Sequence, residues 1–196
     1  MESTGLIIFM VVALAAGVFA TRRELAAGNS APRTRAAWAR LIAYWIFTIP
    51  VAFEMAAGGL WDLLRIEYVR VVLAHLGYPL YLLYIIGIPR IPCAFVLLVP
   101  GFRRLKEWAY AGAFFDYAGA AASHLLAGSR GGQWVGPLML TGFTIVSWGL
   151  RPETRRLSEG APAAKLRPMA WLVPGLIALA MVVVAFITLP KGGPPQ

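Results

Sequence analysis

Cysteine occurs once in the 196 residues, as Cys93. An intramolecular disulfide, a Cys-x-x-Cys redox pair and a thiolate metal cluster are therefore excluded, and with them membrane enzymes that work by internal dithiol exchange. Charge is scarce as well: 14% of the residues are charged, against roughly 25% in an average soluble domain. The two histidines, His75 and His124, would both be consumed by a bis-histidine haem site, which also needs a haem-sized gap. The sequence thus argues against haem and against a metal centre. It also contains no glycine-rich phosphate loop, serine elbow or His-Glu-x-x-His pattern.

What it does contain is apolar: 59% of the chain is hydrophobic, which rules out an ordinary water-soluble globule. Six segments are free enough of charge to insert in a bilayer: Gly5 to Ala20, Leu41 to Leu60, Tyr78 to Val99, Trp108 to Ala127, Trp134 to Leu150 and Met169 to Leu189. The first is short, and prolines interrupt the third. Lys and Arg number five in 21–40, two in 61–77, three in 101–107, one in 128–133, five in 151–168 and one in the tail. The alternation is unbroken. Because excess Lys and Arg stays cytoplasmic, both termini are expected outside, in a multi-pass protein of the bacterial inner membrane.

The formal net charge of +9 then reads as juxtamembrane charge facing anionic lipid at the cytoplasmic loops, with no call for nucleic acid. The first span is expected not to be a secretory signal, because the one charged side chain before it is the acidic Glu2 and its positive charges follow. From Trp61 to Gly77, apolar Leu64, Val71, Val72 and Leu76 are interrupted by Arg65, Glu67 and Arg70, with no Gly or Pro from Asp62 to Leu76. An amphipathic helix lying in the outer interface fits that pattern. Residues 1–40 form a first span and basic loop, 41–151 a central four-helix block, and 152–196 a second basic loop and a last span.

Ionisable groups inside spans cost a few kcal/mol each on insertion scales, so each marks function or a specific pairing. There are five: Glu54, Asp62, Arg90, Asp116 and His124. Counting about 1.5 Å per residue along the spans puts Arg90 and Asp116 near mid-depth, Glu54 and His124 in the outer half, and Asp62 at the outer interface. Arg90 with Asp116 either fixes helix register or binds a ligand. Pro89 and Pro92 around Arg90 break or kink the third span, leaving free carbonyls that line a cavity or are satisfied by packing. Ser123 and His124 share a helix face with Asp116. His124 serves a proton relay or is a satisfied structural histidine. On the cytoplasmic side the intramembrane polar groups are Thr141, Thr144 and Ser147.

Four stretches together carry a family likeness: YWIFTIPVAFEMAAGGLWDLLR from Tyr44, YVRVVLAHLGYPLYLLYIIGIPRI from Tyr68, LLVPGFRRLKEWAYAGAFFDYAGAAASH from Leu97, and the closing helix from Trp134 to Arg151. Glu54 with Gly58, Gly59 and Asp62, then His75-Leu-Gly-Tyr-Pro, then Asp116 with His124, make the combination specific. In these features the central block resembles the DoxX-like family of small bacterial membrane proteins. The resemblance implies a four-helix membrane bundle, here with one extra helix at each end. Relatives are linked to quinone-dependent oxidation, including a thiosulfate:quinone oxidoreductase subunit, and to membrane redox-stress complexes.

The expectation is an all-α membrane protein in which Arg90, Asp116, Asp62, Ser123 and His75 bind a quinone or other lipophilic molecule. Glu54 and His124 would then handle protons. If it is an enzyme, it is a quinone-linked oxidoreductase or a subunit of one, with a redox protein as partner. The alternatives are a non-enzymatic transporter or permeation module, and a structural subunit of a membrane complex.

Overall fold

The structure, a computed structural model, describes residues 2–27, 32, 34–157 and 172–189. Among these are seven α-helices and no strand: α1 (Glu2–Ala27), α2 (Arg35–Leu64), α3 (Glu67–His75), α4 (Leu82–Leu98), α5 (Arg103–Leu126), α6 (Val135–Leu150) and α7 (Leu172–Ile187), with a 3-10 turn at Glu153–Arg155. Helix α2 packs on α4 and α6, α4 on α5, and α5 on α6, which closes a ring of four helices. Helices α1 and α7 pack on each other and on the outside of α2, α7 also touching α4. The second half of the basic loop after Arg151, like Met169 at the start of the last expected span, lies outside the described residues.

Local chemistry sets the ends of these elements. Thr34 caps α2, its side chain accepting a hydrogen bond from the Ala37 amide at 3.2 Å, which satisfies one orphan donor of the first turn. At the other end α2 runs on to Leu64 and is stopped by Arg65, whose φ of 50° is left-handed. The amphipathic helix expected over residues 61–77 is therefore shorter: its first turn belongs to α2, and only Glu67–His75 forms α3. Gly77, at φ 77°, and Pro79 hold back the start of α4 to Leu82. Helix α4 continues through both Pro89 and Pro92, so of the two expectations the break is not seen and the helix accommodated by packing is. Two missing N–H donors on one turn are tolerated here because α2, α5 and α7 pack around it.

The core is built mainly by α2, whose Tyr44, Trp45, Ile49, Val51, Ala52 and Met55 are fully buried against Leu97 of α4 and Ala113 and Tyr117 of α5. Gly17 lets α1 cross against the Trp45 ring; a Cβ there would stand 2.6 Å from Cδ2. The Trp45 indole donates to Thr21 Oγ1 at 3.2 Å, and Trp61 donates to the Ala185 carbonyl at 3.1 Å. These two tryptophans anchor α1 and α7 to α2.

The outside is apolar nearly everywhere, with Ile8 and Val12 of α1, Phe115 of α5, Ile145 of α6 and Leu179 and Phe186 of α7 all exposed. An apolar exterior of this kind suits lipid rather than water. The segments Gly5–Ala26 and Arg35–Leu64 are long and apolar enough to cross a membrane, and Leu82–Leu98, Val135–Leu150 and Leu172–Ile187 are apolar but shorter. Six full spans are therefore not all matched: α5 is long enough, but Asp116, His124 and its tyrosines dilute its hydropathy. The chain has the character of a helical membrane protein.

One end of the bundle is held by buried cations. Lys106, fully buried, donates Nζ to the carbonyls of Val96, Leu97 and Val99, the last at 2.6 Å. Arg155, also fully buried, donates to Leu97 O at 3.2 Å and Leu98 O at 3.0 Å and pairs with Glu24 at 3.2 Å. Both cations face the negative end of α4 and satisfy carbonyls that the helix leaves open. Arg151 pairs with Glu107 at 2.7 Å. Burial pushes the Glu107 carboxyl up, but hydrogen bonds from Arg151 and Trp148 outweigh that and hold it below its ordinary value. These three basic residues are thus engaged inside the protein.

Candidate functional site

The site is built where α2 and α4 come closest. Gly58, Gly59 and Gly87 remove side chains from the crossing: a Cβ on Gly59 would lie 2.9 Å from the Arg90 Cβ, and one on Gly87 2.9 Å from the Asp62 Cβ. Small residues at such a crossing let backbones approach and leave the space to neighbouring long side chains. Arg90 uses it to reach carboxylates on two other helices. Its Nη1 donates to Asp62 Oδ2 of α2 at 2.8 Å. On α5, Asp116 takes a forked pair, with Nε to Oδ2 at 2.8 Å and Nη2 to Oδ1 at 3.0 Å. Bidentate geometry of this kind is the strong form of the ion pair.

Glu54 completes the group without joining its hydrogen bonds. A Cβ on Gly58 would stand 2.9 Å from both Arg90 Nη1 and Glu54 Oε2, so carboxylate and guanidinium flank the same glycine. Glu54 Oε2 is nevertheless buried without a hydrogen-bond partner among the described residues. Three carboxyl groups thus surround one guanidinium. Asp62 is 4% exposed, Arg90 14% and Asp116 18% at the side chain, so the cluster is most accessible on the Asp116 side.

The sequence expected Arg90, Asp116 and Asp62 among the same binding residues, with Asp62 set by depth counting at the outer interface, and the structure pairs all three. Glu54, Gly58 and Asp62 stand at i, i+4 and i+8 and share a helix face, a signal the sequence already carried. The other expected site residues gather elsewhere. His75 Nε2 lies 2.9 Å and His124 Nδ1 3.0 Å from the Ser129 hydroxyl, which links the two rings. Ser123 Oγ donates to the Gly119 carbonyl at 2.8 Å and lies 2.9 Å from the Tyr78 hydroxyl. Glu54 and His124 thus belong to two clusters, about 12 Å apart along α5 as measured from Asp116 to His124. Among the described residues no group of three or more His, Cys, Asp or Glu is arranged to hold a metal ion.

Toward the end of the bundle that holds Lys106, a buried hydroxyl chain joins three helices. Ser147 Oγ lies 2.7 Å from Thr48 Oγ1 and 2.8 Å from the Tyr110 hydroxyl. Thr141 and Thr144 bond back to the carbonyls of Pro137 and Leu140 on their own helix. An apolar groove of about 450 Å³ runs between α2, α4 and α7, lined by Ala56, Ile91, Phe95, Ala178, Leu179 and Val182. Its lining includes Ile91, next to Arg90 in sequence on α4.

No curated protein and no solved structure matches the chain. A sequence model of the DoxX-like family matches residues 46–147, just over half of the 196 residues. That stretch carries the body of all four bundle helices together with Glu54, Asp62, Arg90 and Asp116, and the chain belongs to the DoxX-like family.

Proposed function

We propose that this DoxX-like protein is a multi-pass protein of the bacterial inner membrane, both termini outside, that binds a quinone or similar lipophilic molecule at the Arg90 cluster and exchanges protons through Glu54. The observation that carries the reading is the unpartnered, buried Glu54 Oε2 beside a guanidinium already occupied by Asp62 and Asp116. With all three acids ionised the cluster would hold two uncompensated negative charges in a medium of low dielectric constant, which is costly. A proton, or a donor on a ligand head, relieves that cost. Reduction of a quinone to a quinol takes up two electrons and two protons, so an acid beside the headgroup has a defined task. The electrons would come from a partner redox protein. The apolar groove whose lining includes Ile91 suits an isoprenoid tail.

His124, Ser129 and His75, joined by hydrogen bonds through the Ser129 hydroxyl, then offer a proton route toward the outer surface. A second reading, transport of a small solute or ion, is favoured by the Thr48–Ser147–Tyr110 chain, which adds polar groups on the other side of the cluster. Mass spectrometry of protein purified in mild detergent separates the two. About one isoprenoid quinone per chain, lost from Glu54→Gln, supports the first. Absence of quinone, with ion or solute flux in liposomes, supports the second.

A further inference from the structure

Where α1 and α2 meet the end of α6, a cavity of about 250 Å³ has both Arg40, Arg151 and Arg156 and Leu25, Leu41 and Leu150 on its lining. Arg151 is engaged with Glu107 through two hydrogen bonds. Arg40 and Arg156 are not so matched. Both send Nη2 to the same acceptor, the Gly149 carbonyl, at 3.3 Å and 2.9 Å, and Arg156 Nε donates to the Arg151 carbonyl at 2.7 Å. Among the described residues neither is paired with a carboxylate. Glu153 is the single acid on the lining. Two guanidiniums therefore converge on one neutral oxygen at the C-terminal end of α6. The helix dipole there amounts to roughly half a negative charge, too little to balance both.

An anion with several oxygens would satisfy the remaining N–H groups of both side chains, and the planar guanidinium fork fits phosphate better than any other common anion except carboxylate. The three leucines add apolar lining to the charged groups of the cavity. We infer that this cavity binds a phosphate ester, with the phosphodiester headgroup of an anionic phospholipid as the source that suits both kinds of lining. The inference rests on the membrane reading above but not on the ligand at Arg90.

Native mass spectrometry of the full chain in detergent, with added phosphatidylglycerol or phosphatidylcholine, tests it against thermal stabilisation by inorganic phosphate alone. The variant pair Arg40→Gln with Arg156→Gln is compared with Arg23→Gln and Arg104→Gln, which removes the same charge from exposed positions. The expected result is one phosphatidylglycerol retained per chain, weakened about tenfold more by the site pair than by the control pair. Stabilisation by inorganic phosphate that the site pair alone abolishes would also support the phosphate site, with free phosphate as the source. Equal losses in both pairs would mean diffuse surface charge and overturn the proposal, as would equal retention of both lipids. None of these outcomes depends on quinone, so failure here and failure at Arg90 are distinguishable.

Discussion

Arg90 grips Asp116 with both ends of its guanidinium fork while its third nitrogen holds Asp62, so one side chain on α4 ties α5 to α2. Removing that cation leaves three acids facing one another. Arg90→Met is expected to cost about 3–5 kcal/mol. Adding Asp116→Asn should recover part of the loss, because it removes one of the stranded charges. Thermal denaturation of the four forms of this cycle in detergent checks the coupling. Strictly additive losses would mean that the two residues do not act together.

The crossing of α2 and α4 depends on absent side chains. Gly59→Ala places a methyl 2.9 Å from the Arg90 Cβ and 3.1 Å from the Gly87 carbonyl, and overpacking of this kind costs about 1–3 kcal/mol. Gly112 of α5 has nothing within 4 Å of its Cβ position. With no clash and a mid-helix position, Gly112→Ala should not destabilise and is expected to gain about 0.5–1 kcal/mol from helix propensity, in the same denaturation experiment.

Orientation is open to direct chemical test. In a Cys93→Ala background, Gln133→Cys lies in the exposed turn before α6 and Arg104→Cys in the exposed start of α5. An impermeant thiol reagent applied to intact cells should label the first and spare the second. The reverse pattern would invert the topology.

The Glu107–Arg151 pair predicts an acid-sensitive contribution. Glu107 titrates below its ordinary value in the folded protein, so its stabilisation is full above the unfolded value of 4.5 and fades as the pH falls through the folded one. Partial exposure keeps it to about 0.5–1 kcal/mol. Glu107→Gln should lower the melting temperature at pH 7, and the difference from wild type should shrink progressively as the pH falls below 4.5.

The helices and the Arg90–Asp116 pair were legible because hydropathy and the rarity of charge in spans are both local signals. What lay beyond them depended on packing. Arg65 ends α2 in a left-handed conformation at a position where neither Gly nor Asn marks the stop, and that one residue divides the expected amphipathic helix. Pro89 and Pro92 suggest a break on propensity alone, yet the surrounding helices keep α4 intact. Lys106 and Arg155 read as loop charges facing lipid, because nothing local reveals that the open carbonyls at the end of α4 lie within reach of both. Asp62 was assigned by depth along its helix, whereas the length of the arginine side chain decides which acid meets the guanidinium.

Glu54, as proposed, exchanges a proton with a ligand seated at the Arg90 cluster. Titration of the purified full chain with a water-soluble short-chain quinone, comparing wild type with Glu54→Gln, tests it most directly. Loss of a hydrogen bond from a charged or proton-sharing group weakens binding by roughly tenfold to a hundredfold. Saturable binding to the wild type is expected, with a loss of that size in Glu54→Gln and the melting temperature nearly unchanged. Equal affinity in the two proteins, or no saturable binding to the wild type, would contradict it.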